Sequence, residues 1–165
     1  VRFPSNVHYG NIVKGLPGIE KGTCNGVYCS HVLEHLSLYE FRQALNNTYD
    51  MLKTGGIFRV VVPDLKQYVK KYMENHDKDA SLKFMEGTVL GINERKKGIR
   101  GIIEYVFSNA RHQWMWDYPA MENELKEVGF KVIRSCKPGD SKDPMFLKVE
   151  NPNRFRNAVA IEAIK

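Results

Sequence analysis

His31-Val32-Leu33-Glu34-His35 is where side chains able to move protons or bind metals crowd most closely in this chain. The stretch matches the H-x-x-E-H pattern of zinc peptidases. On one helix, histidines four apart share a face and can hold zinc, and the glutamate between them can activate water. The surroundings fit that chemistry poorly. A short apolar segment precedes the motif, and Ser37 with Glu40 follows it as a capping box, so the motif is expected to form only a brief helical turn. As a third ligand only Glu104 and Glu122 are available by arithmetic. A zinc-dependent hydrolase using residues 31–35 is kept as the alternative, and the main reading assigns no metal ligands.

Position suggests a different use. Gly26 to Ser30 reads as a buried strand that delivers Cys29, Ser30 and His31 to its C-terminal end. Ile57 to Val62 reads as a strand buried on both faces, delivering Pro63 and Asp64 to the same rim if the two strands are neighbours. Ligand crevices of open α/β sheets lie at that rim. A histidine there can act as acid, base or donor near neutral pH. Cys29 beside His31 invites a thiol nucleophile, although a cysteine at a strand end is ordinarily just packed. His112-Gln113-Trp114-Met115-Trp116 is read as an anchor with both indoles in the core, or as a wall where His112 or Trp114 closes a pocket. No G-x-S-x-G elbow is present, and Asp140, Ser141 and Asp143 have no histidine near in sequence, so a serine triad is unsupported.

The elements that must position these groups follow from pattern. Val7 to Ile12 suggests a short strand, and Leu16-Pro17-Gly18 a turn. Leu38, Phe41, Leu45, Tyr49 and Leu52 share a helical face, with Gly55-Gly56 as the expected stop. Arg59 interrupts the apolar run 57–62, so one end or face of that strand must reach water or a carboxylate. Asp64 caps a helix with the stripe Leu65, Tyr68, Val69, Tyr72 and Met73. Tyr68, Tyr72, Met73 and Met85 are assigned to the core. Residues 76–112 are expected to form a helical lid or insert. Asp117 caps a further helix with Pro119 in its first turn and Gly129 at its end. Phe130 to Cys136 and Ala158 to Ile164 are the remaining strands, separated by a loop over 137–153.

Bulk properties narrow the class. The 165 residues suit a single domain, 1–165, and 42% hydrophobic content excludes a disordered chain. The net charge of +6 is spread over many segments, densest at Glu94-Arg95-Lys96-Lys97, and reads as a solvated surface with no nucleic-acid partner. Cys24, Cys29 and Cys136 are scattered and form no C-x-x-C, which suits a reducing compartment. No apolar run approaches a membrane span and no signal peptide is visible. Residue 1 is a valine, so the start of the protein is expected upstream, and cytoplasmic is the default location.

In order along the chain, GVYCSHVLEHL, ALNNTYDMLKTGGIFRVVVPDL, HQWMWDYPAMENELKEVGF and AVAIEAIK resemble the later half of class I S-adenosylmethionine-dependent methyltransferases, the type 11 branch in particular. NIVKGLPG resembles the segment before that family's fourth strand. The resemblance implies an α/β, Rossmann-like class I methyltransferase sheet with three α/β/α layers, its first strands absent here and its last strand antiparallel. It implies S-adenosylmethionine as cofactor, with Asn11 and Ile12 at the adenine and Cys29, Ser30 and His31 along the cofactor. It implies methyl transfer to an oxygen or nitrogen of a small polar acceptor, such as a sugar or other metabolite. A general base helps if the acceptor is a hydroxyl, and His31, His35 and His112 are the candidate catalytic residues. The family's glycine-rich loop and ribose-binding acid have no counterpart in these residues. Asn11 and Asn25 stand where acids are usual. The expected reason is an N-terminal segment outside this sequence, the chain being the C-terminal two-thirds of the fold. Otherwise a partner copy completes the sheet as a homodimer, or the domain is a non-catalytic binding or scaffold relative.

Overall fold

The computed structural model describes residues 4–91 and 111–165. Four strands form one sheet in the order β1-β2-β4-β3, where β1 is Cys24–Ser30, β2 Leu52–Pro63, β3 Val132–Ser135 and β4 Ala158–Ile164. β1 and β2 are parallel, and β4 runs antiparallel to both β2 and β3. The helices are α1 (Leu38–Met51), α2 (Leu65–Glu74), α3 (Ala80–Gly87) and α4 (Tyr118–Val128). The α/β class, the parallel strand–helix–strand unit and the antiparallel last strand agree with the sequence reading. Of the expected lid over 76–112, α3 lies inside the described residues and 92–110 lies outside them.

Local chemistry explains the helix starts. Ser37 accepts from the Glu40 amide, while the Glu40 carboxylate accepts from the Ser37 amide and hydroxyl. Two orphan donors of the first turn are thereby satisfied. Ser37→Ala is expected to cost about 1 kcal/mol in urea denaturation, a typical cap loss. Asp64 and Asp117 cap α2 and α4 in the same manner, accepting from Lys66 and Ala120. Gly129 closes α4 at φ 116°, where a side chain would be strained.

Four expectations need correction. Val7 to Ile12 forms no strand; it is turn and coil, with one isolated bridge between Asn11 and Gly15. Gly55-Gly56 does not stop α1, which ends at Met51. The pair lies inside β2, where the register with β1 jumps from Cys24↔Leu52 to Gly26↔Ile57. Gly55 has φ 80°, and a Cβ on Gly56 would meet the carbonyls of Lys53 and Cys24 at 2.9 and 3.1 Å, so the glycines allow a tight bulge. Finally, α2 has no buried residue. Val69, Tyr72, Met73 and Met85 are exposed rather than core. Phe130 to Cys136 shortens to Val132–Ser135, with Phe130 and Cys136 buried at its flanks.

The two faces of the sheet are built differently. Phe58, Val60 and Val62 of β2 and Val159, Ile161 and Ala163 of β4 join Phe41, Ala44 and Leu45 of α1 and Met121 and Leu125 of α4 in the main core. Val61, Cys136 and Ala160 form a small cluster on the other face, with Tyr28, Phe155 and Ala158 against it. The residue that breaks the apolar run of β2, Arg59, shares this second face with Val61. Arg59 is fully buried and bonds Glu150 at 2.6 Å, Glu162 at 2.6 Å, Asp140 at 3.0 Å and the Lys137 carbonyl at 2.9 Å. Arg134 binds Glu162 and Asp140 as well, so Arg59, Glu162 and Arg134 stand in a row across β2, β4 and β3. The carboxylate demanded by Arg59 in the sequence is thus met three times over.

Candidate functional site

The C-terminal ends of β1 and β2 lie side by side because the strands are parallel in register Ser30↔Val61. The ladder continues one step further, with the His31 amide donating to the Val61 carbonyl at 2.8 Å. His31 then leaves the strand at φ 54°, a left-handed conformation costly for any residue with a Cβ. This turn breaks H-x-x-E-H as a helical motif. Val32 is not helical, and only Leu33–His35 form a single 3₁₀ turn. The two histidines therefore do not share the face of one helix, and the peptidase geometry is not formed.

A different cluster is formed instead. The segment 111–116 is laid against the turn by backbone bonds: the Gln113 and Trp114 amides donate to the Glu34 carbonyl at 2.7 and 3.2 Å, and the Gln113 side chain donates to the His35 carbonyl. Its far end is fixed by Leu65, whose amide donates to the Trp116 carbonyl, and by a bridge between Asp64 and Trp116. Trp116 is buried and stacks on Phe41 at 4.1 Å, whereas Trp114 is 41% exposed, so only one of the two indoles is core. This arrangement brings His112 to the strand-end histidines. His31 Nδ1 lies 3.3 Å from Glu34 Oε1, and His35 Nε2 and His112 Nε2 each lie 3.9 Å from the same oxygen. The rings of His35 and His112 meet edge to face at 5.0 Å.

The electrostatics differ among these groups. The Glu34 carboxylate beside His31 raises that imidazole's pKa, against a smaller opposing effect of burial, and the Arg154 carbonyl adds to the rise. Burial lowers the pKa of His112 despite the pull of Glu34. His31 is accordingly the more basic of the two. Burial pushes the Cys29 thiol up to about 12, with the charge of Glu34 adding to it, so Cys29 is protonated at neutral pH and is no thiolate nucleophile.

The remaining expected site residues lie as follows. Ser30 Oγ is buried at the rim without a hydrogen-bond partner. Asn11 is exposed; its side-chain oxygen accepts from the Val13 amide at 2.9 Å. Ile12 packs against the main core, and its carbonyl accepts from Asn47 of α1. The loop at 11–15 is therefore anchored to α1. Asp64 reaches the expected rim, but its side chain is engaged in capping α2. The sequence offers Glu34 as the water-activating member of the peptidase pattern or as a solvated residue at a helix start; its place at the centre of three imidazoles depends on His112, 78 positions further on, and no spacing rule signals that.

Comparison with known proteins adds the following. Nothing among curated proteins matches the chain. A solved S-adenosylmethionine-dependent methyltransferase from Archaeoglobus fulgidus superposes with a TM-score of 0.52 at 16% identity, covering 97% of this chain and 67% of that one. An O-methyltransferase family protein from Burkholderia thailandensis gives 0.52 at 11% identity, covering 96% of this chain and 35% of that one. These likenesses establish the Rossmann-like fold, and the chain spans from about one third to about two thirds of those proteins' length. The model of the family described as "Methyltransferase domain" matches residues 5–135. The match runs through the parallel strand pair, the rim and the segment bearing His112, and the chain belongs to the methyltransferase-domain family.

Proposed function

We propose that this chain is the part of an S-adenosylmethionine-dependent methyltransferase that receives a small polar acceptor and moves its methyl-accepting oxygen or nitrogen into line. The family match carries the reading, and the histidine-lined rim at the ends of β1 and β2 gives it a location. The residues present suit the cofactor on one observation: the buried Ser30 hydroxyl at the rim lacks a partner that a polar ligand would supply. Asn11, Ile12, Cys29, Ser30 and His31 would hold it. When bound, S-adenosylmethionine supplies an electrophilic methyl group.

The chain's own contribution is placement and proton handling. In-line displacement gains most of its rate from holding the nucleophile at the right distance and angle. Where the acceptor is a hydroxyl, His31 is the candidate base whose basicity Glu34 raises, and its ring is partly open to solvent. His35 and His112 approach the same Glu34 oxygen as His31. The reading also keeps the reaction in the cytoplasm with a small-molecule acceptor, and no helix among the described residues is long and apolar enough to cross a membrane. A partner copy, as a homodimer, remains part of the proposal.

Calorimetry with S-adenosylhomocysteine on the protein expressed from its full open reading frame tests this. Micromolar binding is expected, and His31→Ala is expected to lower methyl transfer about 10²–10⁴-fold, the usual contribution of a general base. Absence of heat at millimolar ligand would instead favour a non-catalytic binding domain.

A further inference from the structure

The chain has five histidines, and three of them converge on one carboxylate. Glu34 is fully buried and neither of its oxygens has a hydrogen-bond partner. Such a group is costly to keep unless something compensates it. The imidazoles around it have fixed orientations. His35 Nδ1 donates to the Arg111 carbonyl at 3.0 Å, which leaves the Nε2 lone pair of the neutral ring facing Glu34. His31 Nε2 donates to the Arg154 carbonyl at 2.9 Å, which leaves Nδ1 facing the same oxygen. His112 Nε2 approaches Oε1 from the third direction. The lone pairs of His31 and His35 thus point at a carboxylate, and a positive centre among them would turn repulsion into attraction.

The geometry points to a divalent transition-metal site made by Glu34, His35 and His112, with zinc or a zinc-like ion as the ligand. One donor atom from each of the three lies within 4.8 Å of the others. Tetrahedral nitrogen and oxygen ligands at ~2.0–2.1 Å from zinc stand roughly 3.3 Å apart, so the 3.9 Å separations close with small side-chain shifts. Two imidazoles and a carboxylate suit borderline cations over calcium or magnesium. The Arg111 carbonyl already fixes the His35 tautomer, as backbone carbonyls do for metal-bound histidines. His31 lies outside the set of three and acts as a positioning residue on Glu34. A three-ligand set leaves one coordination place open, and the His35 and His112 side chains are 24% and 9% exposed.

This is not the peptidase arrangement. There the histidines of the motif bind the metal and the glutamate handles the proton, whereas here Glu34 is a ligand and the motif's first histidine is not. The site also stands apart from the methyl-transfer reading: it concerns cation binding by the chain alone and holds or fails without S-adenosylmethionine.

Titration of the protein expressed from its full open reading frame with cobalt(II) at neutral pH, followed by visible absorption, tests it. A d–d band saturating at a single equivalent and displaced by zinc is expected. His35→Ala and His112→Ala should each weaken binding at least about 100-fold, and His31→Ala about tenfold, as removal of an outer-shell partner does. His76→Ala should leave it unchanged. On the unmutated chain, nitrogen-15 spectra should show the His35 and His112 rings shifting with zinc while His8 and His76 stay in place, which keeps the test decisive even if a variant fails to fold. No saturable band would overturn the assignment, as would a band that survives loss of both His35 and His112, or zinc shifts confined to His8 and His76.

Discussion

Arg59→Ala is expected to remove about 3–5 kcal/mol of folding stability at neutral pH, the cost of stripping one partner from a buried ion cluster. The side chain is fully buried, and its loss leaves Glu150, whose side chain is 3% exposed, without a cation among its bonds. Glu162 would lose one of its two guanidinium partners and keep Arg134. The acid response identifies the cause. Against the opposing effect of burial, Arg134, the Lys137 amide and Arg59 hold the Asp140 carboxyl down to about 2, and Ser141, Arg59 and Arg134 hold Glu162 below the usual range. A carboxyl whose pKa is depressed by folding contributes stability above its unfolded value and loses it as pH falls through the folded one. The parent protein should therefore weaken from about pH 4 down to about pH 2. In Arg59→Ala the stranded carboxylates gain protons more readily, so the stability gap should narrow as pH falls. Urea titrations of both proteins across that range measure it. A gap independent of pH would mean that lost packing, such as the stacking of Arg59 over Phe146 at 5.5 Å, dominates instead. Replacing Arg59 together with its two buried carboxylates, Arg59→Met with Glu150→Gln and Glu162→Gln, should recover much of the loss.

Phe41→Ala is the second large effect, about 3–5 kcal/mol for removing a buried aromatic ring. The ring has no exposed surface, lies in the main core and stacks on Trp116 at 4.1 Å with an interplanar angle of 29°. Its consequence reaches the site. Trp116 holds one end of the segment that carries His112, through its carbonyl to the Leu65 amide and its bridge to Asp64. A cavity beneath Trp116 loosens that anchor, so hydrogen exchange at the Leu65 and Gln113 amides should accelerate more than the global loss of stability predicts. Tyr39→Ala on the same helix is the control. That residue is 72% exposed, and its replacement should stay within about 0.5 kcal/mol of the parent. Equal costs for the two variants would contradict the packing described.

Much of this architecture was legible because its causes are local. Ser37 with Glu40, Asp64, Asp117 and Gly129 are caps whose partners lie within a few residues, and each appears where the sequence placed it. The β1–α1–β2 unit follows from one amphipathic helix between two apolar runs. Arg59 announced a need for carboxylates, but Asp140, Glu150 and Glu162 reach it through strand pairing and a long loop that no period reveals. Tyr72 and Met73 were misassigned because an apolar stripe shows that a face could be covered, not that described residues cover it. Gly55-Gly56 was mistaken for a helix stop because a left-handed glycine serves a strand bulge equally well. For the site, His31, His35 and His112 were each singled out, yet their meeting at Glu34 is a tertiary fact set by the bonds of Gln113 and Trp114.

The charged row across β2, β4 and β3 bears on how the last strand finds its alignment. Glu162 faces both Arg59 and Arg134 in register. A slip of β4 by a single residue would turn Glu162 toward the helical side, among Phe58, Leu125 and Ile133, and set Ile161 or Ala163 against two guanidinium groups. Apolar strands such as β2 and β4 slide past one another at little cost, whereas this misalignment would bury an anion and two cations unmatched. The row thus acts as a proofreading key, rejecting the wrong pairings that the greasy residues around it would tolerate.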